Sequence, residues 1–172
     1  LKLNTRQLIF TSGAIEPNNL AIKGVAHQYI NRGRHIISTH LEHSSVNGPL
    51  AALFNEGFEI DYLETDPDGL VSLKHLRELL RSDTVLVAVC YVDSEAGVTQ
   101  QIGEIAELLS GYPNCRLHVD ATQAVGKTAL QLDSVDLITF TPHKFYGLIG
   151  SGVLIIKNDL QLEIQMHGGL ST

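Results

Sequence analysis

Short apolar runs alternate with longer, two-sided segments along most of the chain. The runs Leu8 to Thr11, Arg34 to Thr39, Phe58 to Leu63, Thr84 to Val92, Arg116 to Val119, Leu137 to Thr141 and Val153 to Ile156 are too short for helices and read as strands. Between most of them, Asn19 to Tyr29, Val46 to Phe54, Leu73 to Leu80 and Ile102 to Leu109 repeat apolar positions at helical spacing, with polar residues on the opposite face. The alternation predicts an α/β fold, a mostly parallel mixed sheet of about seven strands with helices on both faces. Strands in such a sheet are apolar on both sides, as Val85-Leu86-Val87-Ala88-Val89 is. The interval from Thr141 to Gly152 is too short for a helical crossover, so the final strand is expected to run antiparallel. No internal repeat, low-complexity tract or linker divides the chain, which therefore reads as one domain.

The composition fits this picture and narrows the partners. At 172 residues and 44% hydrophobic, one domain buries roughly 70% of the surface its unfolded chain exposes. A net charge of -7 provides no broad basic field, so neither nucleic acid nor an anionic membrane is an expected partner. A bound anion would need a local device, such as free backbone N–H groups at a helix start. Cys90 in an apolar run and Cys115 after Tyr112-Pro113-Asn114 do not resemble a disulfide framework, and a reducing, cytoplasmic setting is expected. No apolar run approaches the ~20 residues of a membrane span and no leader-like segment opens the chain, so a soluble protein is expected. The abrupt start at Leu1 and the stop after Gly168-Gly169-Leu170-Ser171-Thr172 read as cuts from a longer protein.

Ligands of open α/β sheets sit beyond the carboxyl ends of the strands, which directs attention to four polar clusters. Thr11-Ser12-Gly13-Ala14 precedes a helix start marked by Glu16-Pro17, and is either a phosphate cradle or an ordinary strand-to-helix turn. Glu42-His43 follows the second strand, and His43 could stack on a planar ligand or move protons near neutral pH. Asp120 ends a buried strand, where a lone carboxylate needs a cation or several donors, and either a pyridinium nitrogen or a helix start would supply them. Lys144, after an apolar strand and before Phe145-Tyr146-Gly147, is expected to be drawn inward, which would suit a Schiff-base nucleophile; Thr141 and His143 add donors for an anionic phosphate ester. The spacing His40-Leu-Glu-His43 lacks the second ligand pair of a zinc site, and no metal is expected.

In this order the clusters resemble the large domain of the cysteine desulfurases, in the class V aminotransferase group with the type I fold of pyridoxal-phosphate (PLP) enzymes. The resemblance is carried by FTSGAIEPNNLAIKG at 10–24, EHSSV at 42–46, HVDATQAVGK at 118–127, TPHKFYG at 141–147 and MHGG at 166–169, and it spans nearly the whole chain. It implies PLP as cofactor, L-cysteine as substrate, and transfer of its sulfur to an enzyme persulfide for iron–sulfur cluster or thiocofactor assembly. Lys144 would hold the cofactor as a Schiff base, Asp120 would pair with the pyridine nitrogen, Gln123 would bond the ring hydroxyl and His43 would stack on the ring. Ala14 through its backbone, Thr141 and His143 would bind the phosphate, while His43 and Lys144 would also move protons. Three positions depart from the family pattern. Ile15 replaces a phosphate-binding threonine, Asp93 replaces an amide near the ring, and Leu148-Ile149 replace a proline and a basic residue. The resemblance further implies a homodimer, sulfur-acceptor or scaffold proteins as partners, and a nucleophilic cysteine in a small domain beyond residue 172, without which this piece should be inactive in desulfuration. Selenocysteine lyases or aminotransferases of the same group, and a degenerate PLP fold acting as a binding module, are the competing readings.

Overall fold

Residues 8–167 are described by a computed structural model, and the expectations attached to Leu1 and to Gly168 and beyond lie outside the described residues. Seven strands form one sheet: β1 (Leu8–Thr11), β2 (His35–Thr39), β3 (Glu59–Leu63), β4 (Thr84–Cys90), β5 (Arg116–Asp120), β6 (Leu137–Phe140) and β7 (Gly152–Ile156). Four α-helices lie between them: α1 (Ile15–Gln28), α2 (Ser44–Asn55), α3 (Leu73–Leu79) and α4 (Ile102–Leu109). The strands are ordered β1-β7-β6-β5-β4-β2-β3. β7 runs antiparallel to both its neighbours, and the other pairings are parallel, as the short interval before it predicts.

Alternation of side chains divides the core in two. Ile37, Val87, Val89, Leu117, Val119, Val153 and Ile155 face α3 and α4, meeting Leu76, Ile102 and Ile105. Ile36, Leu86, Ala88 and Leu154 face α1 and α2, meeting Ile22, Val25, Val46, Leu50 and Leu53. All seven residues of β4 are buried, which is why its sequence carries no polar alternation. Truncating a fully buried side chain such as Leu50 to alanine removes about 2–5 kcal/mol.

The element ends differ from the apolar spacing in two instructive places. Helix α1 starts at Ile15, four residues before the apolar pattern becomes visible, because Pro17 occupies the first turn, where its missing N–H is not needed. No α-helix separates β5 from β6; residues 121–136 cross over in turns instead. Beyond β7 the chain folds back along α1, where Glu163 N–H donates to Gly24 C=O at 3.0 Å and a side chain on Gly24 would meet Leu162. Because β7 alone is antiparallel, the carboxyl ends of β1, β2, β4, β5 and β6 share one edge of the sheet, where the polar clusters gather.

Candidate active site

A cavity of about 430 Å³ opens at that edge, lined by residues from every polar cluster. Ala14, His43, Asp120, Gln123, Thr141, His143 and Lys144 all border it, together with Leu41, Ser45, Cys90, Val92, Ser94 and Thr122. The parallel strands end at one edge, and the ends of β4 and β5 and the segments that follow β1, β2, β4, β5 and β6 bring these residues to it.

Asp120 is buried, and each of its oxygens has one donor. Oδ1 accepts from Thr122 N–H at 2.9 Å and Oδ2 from Asn18 Nδ2 at 3.0 Å. The bond to Thr122 makes Asp120 the cap of the following turn, one of the two roles open to it from sequence. A carboxylate has about four lone-pair sites, so two remain for a donor in the cavity.

His43 is the N-cap of α2, its Nδ1 accepting from Ser45 N–H at 3.2 Å with Ser45 Oγ at 2.9 Å. Capping fixes the ring and leaves the proton of the neutral imidazole on Nε2. Gln123 accepts from Lys127 Nζ at 2.7 Å through Oε1, which leaves its amide nitrogen as the group with hydrogens to give. Thr141 Oγ1 donates to Ser151 C=O at 2.9 Å and lies 2.7 Å from His143 Nδ1, which therefore donates to it. The Thr141 hydroxyl hydrogen is thus committed to the backbone of the loop before β7.

Four sequence expectations change. Lys144 sits in a single 3-10 turn, Pro142–Phe145, and is exposed rather than drawn inward; Tyr146, Leu148 and Ile149 after it are exposed as well. The apolar strand before Lys144 ends at Phe140, and the turn carries the lysine out past the sheet edge. Asp93 is buried but does not border the cavity: its Oδ2 accepts from Glu95 N–H at 3.2 Å and Ala96 N–H at 2.5 Å, closing a turn, and Ser94 takes the place at the wall. Ile15 is exposed and borders a groove between α1 and α2 instead. In the Ser12 turn, Glu16 accepts from both Ser12 N–H and Ser12 Oγ at 2.7 Å, so those donors face the helix's own carboxylate, which they hold below its ordinary range.

Other titratable residues have no assigned role, and of these only Cys90 borders the cavity. Glu42 is buried; Oε1 accepts from Cys90 N–H at 2.7 Å and Thr39 Oγ1 at 2.8 Å, while Oε2 has no partner among the described residues. Burial pushes its carboxyl up to about 8. Burial, with Glu42 and Asp120 nearby, pushes the Cys90 thiol far above the ordinary thiol range, and burial raises Cys115 to about 12. His40 stacks on Tyr62 at 4.3 Å between ring centres, away from His43. Among the described residues no group of three His, Cys, Asp or Glu side chains could hold a metal ion, and no helix is long and apolar enough to cross a membrane.

The residues present fit PLP. The cavity suits a small cofactor, a buried acceptor stands ready for a protonated ring nitrogen, and an amine, an amide and imidazoles stand around it.

Comparison with known proteins agrees in extent and kind. The family described as Aminotransferase class-V matches residues 2–171. The chain is 45% identical over 173 residues to the cysteine desulfurase IscS of Aeromonas salmonicida, covering 98% of this chain and 43% of that protein. It is 46% identical over 168 residues to the IscS of Psychromonas ingrahamii, covering 95% and 41% respectively. Among solved structures, a NifS-like protein superposes with a TM-score of 0.94 at 32% identity, over 98% of this chain and 47% of its own. DndA from Streptomyces lividans superposes with a TM-score of 0.89 at 39% identity, over 98% and 49%. The chain therefore spans less than half the length of these relatives.

Proposed function

The chain belongs to the class-V aminotransferase family, and from that premise we propose that it is the cofactor-binding portion of a PLP-dependent cysteine desulfurase. The observation that carries this reading is the convergence of Asp120, Gln123, His43, Thr141, His143 and Lys144 on one cavity from separate strand ends. A solved relative, SspA in complex with cysteine, supports L-cysteine as the substrate. Bound PLP supplies an electron sink that labilises bonds at the substrate's α and β carbons.

The chain's own groups then have distinct tasks. Lys144 would hold the cofactor, and its exposed amine could also carry a proton to and from substrate. Asp120 has two unshared lone-pair sites for the ring nitrogen, and Gln123 would offer its amide N–H to the ring oxygen. His43, fixed as a helix cap, would stack on the ring and exchange a proton at Nε2. His143, with Thr141 behind it, would bind the phosphate along with the Ala14 backbone. Ile15 and Asp93 lie off the cavity wall, so their departure from the family pattern does not count against a cofactor.

Neither Cys90 nor Cys115 accepts the sulfur, because both thiols are buried and held protonated. The acceptor is a cysteine supplied from elsewhere, which passes sulfur to an iron–sulfur or thiocofactor partner in a reducing, cytoplasmic setting. The exposed Tyr146, Leu148 and Ile149 beside Lys144 support a homodimer in which a second copy covers the lysine turn.

The test is an absorption spectrum of the purified protein with PLP, before and after borohydride, beside a Lys144→Ala variant. A lysine-dependent band that borohydride fixes, with alanine released from L-cysteine and a persulfide formed on the acceptor cysteine once that cysteine is supplied, is the expected result. No band in the dimeric protein would sink the reading.

A further inference from the structure

Behind the cavity wall lies a hydrogen-bond network whose members are buried and whose direction can be worked out atom by atom. Asn18, His118 and Thr139 are at most 1% exposed, and they come from α1, β5 and β6. Asn18 Nδ2 stands 3.0 Å from Asp120 Oδ2 and 2.9 Å from Ser45 Oγ. An ionised carboxylate can only accept, so it is the amide nitrogen that faces it, and Asn18 Oδ1 is turned to Thr139 Oγ1 at 2.5 Å. A carbonyl can only accept, so the Thr139 hydroxyl gives its one hydrogen there. His118 Nε2, 3.1 Å from the same hydroxyl, must then be the donor. The proton of His118 is therefore on Nε2, and its Nδ1 is left buried with no partner among the described residues. Burial holds this ring down at about 4, with Asp120 as the one opposing charge, so it stays neutral.

The second hydrogen of Asn18 goes to Ser45 Oγ, whose own hydrogen is directed to His43 Nδ1 at 2.9 Å. One root, His118, thus reaches two cavity residues through a single amide.

We infer that Asn18, Thr139 and His118 are positioning residues that act as one directed chain, delivering donors to Asp120 and, through Ser45, to His43. The chain holds Asp120 as an acceptor for the ring nitrogen, and it adds the Ser45 hydroxyl to the Ser45 N–H as a second donor to His43 Nδ1. This rests on the cofactor reading above and adds how the acceptor for the ring nitrogen is held in place. Reversing any link would set acceptor against acceptor inside the protein, at positions that no water on the cavity side could repair.

The test has two halves. Without cofactor, nitrogen-15 NMR of the histidine rings at pH 6–8 should find His118 protonated on Nε2 alone. Thr139→Val, close to isosteric, takes away the acceptor of His118 Nε2 and should leave His118 a mixture of tautomers, and Thr139→Ser should restore the single form. With PLP, Thr139→Val should weaken binding about tenfold and shift the pH midpoint of the cofactor band, and Thr139→Ser should stay within about twofold. If Thr139→Val fails to fold, His118→Leu and His118→Gln replace the pair, since glutamine keeps a donor near the Nε2 position and leucine does not. A wild-type His118 protonated on Nδ1, or a folded Thr139→Val with unchanged tautomers and midpoint, overturns the chain. Absence of any cofactor band in the wild type would instead overturn the cofactor reading, and the ring tautomers would still decide the chain.

Discussion

Glu42 allows a quantitative check on the buried side of the cavity. Its carboxyl loses its proton near 4.5 in the unfolded chain and only at about 8 in the folded protein, because burial outweighs the bonds from Thr39 and the Cys90 N–H and Asp120 adds a like charge. A folded value raised above the unfolded one gives stability that is complete below 4.5 and lost as the pH rises through 8. Between those limits the folded state holds one more proton than the unfolded state, so stability falls by about 1.4 kcal/mol per pH unit and by about 5 kcal/mol in all. Glu42→Gln keeps an oxygen for Cys90 N–H and Thr39 Oγ1 but cannot ionise. Urea unfolding of both proteins from pH 5 to 9 isolates this residue, since other titrating groups cancel in the difference. The variant should gain on the wild type with that slope up to about pH 8 and run parallel to it beyond. Curves parallel throughout, or a gain on acidification, would mean that Glu42 is ionised in the folded protein and that the reasoning from burial fails.

Other expectations follow from the same structure. His118, held at about 4 against 6.5 when unfolded, should cost the protein about 3 kcal/mol as the pH falls from 6.5 to 4, a loss that His118→Leu removes in the same unfolding assay. Cys90 and Cys115 should resist a thiol reagent at pH 8 until urea unfolds the chain; labelling of either at the rate of a free thiol would contradict their burial. A Cβ on Gly152 would stand 2.3 Å from Gly13 C=O and 2.5 Å from Thr11 Oγ1, so Gly152→Ala should displace the turn that carries Ala14. It should weaken PLP binding and destabilise the protein by about 1–3 kcal/mol, and unchanged affinity with unchanged unfolding would show that this turn does not hold the phosphate.

Much of the fold is legible because burial on both faces leaves a plain signature. The run Val85-Leu86-Val87-Ala88-Val89 can only be an interior strand, and the eleven residues between Phe140 and Gly152 can only reverse the chain's direction. Strand order is not legible. Nothing local says that β4 pairs with β2 rather than β3, because α3 carries the chain over β2 with ordinary crossover chemistry. The candidate site is legible for a related reason, since a polar residue just past an apolar strand has one place to go in a parallel sheet. Asp120, Thr141 and His143 are found by that argument alone.

What escapes sequence reading is the support behind those residues. Asn18 meets Asp120 across 102 positions and Thr139 across 121, so their union depends on strand order and on how α1 lies over the sheet. A faint signal exists. Asn18 shares a helix face with the buried Ile22 and Val25, four and seven positions on, where a polar residue has no water and must have a partner inside. His118 and Thr139 are the same kind of exception within strands otherwise filled by Leu, Val and Ile. Asp93 is the converse case. Matched by position to a ring-facing amide, it was expected at the wall, yet a short carboxylate two and three residues before free N–H groups closes its own turn first, and local geometry overrides the alignment. Lys144 failed its expectation for a third reason. Its burial was argued from the apolar strand before it, but the residues that follow, Tyr146, Leu148 and Ile149, are themselves uncovered, so nothing among the described residues desolvates this lysine.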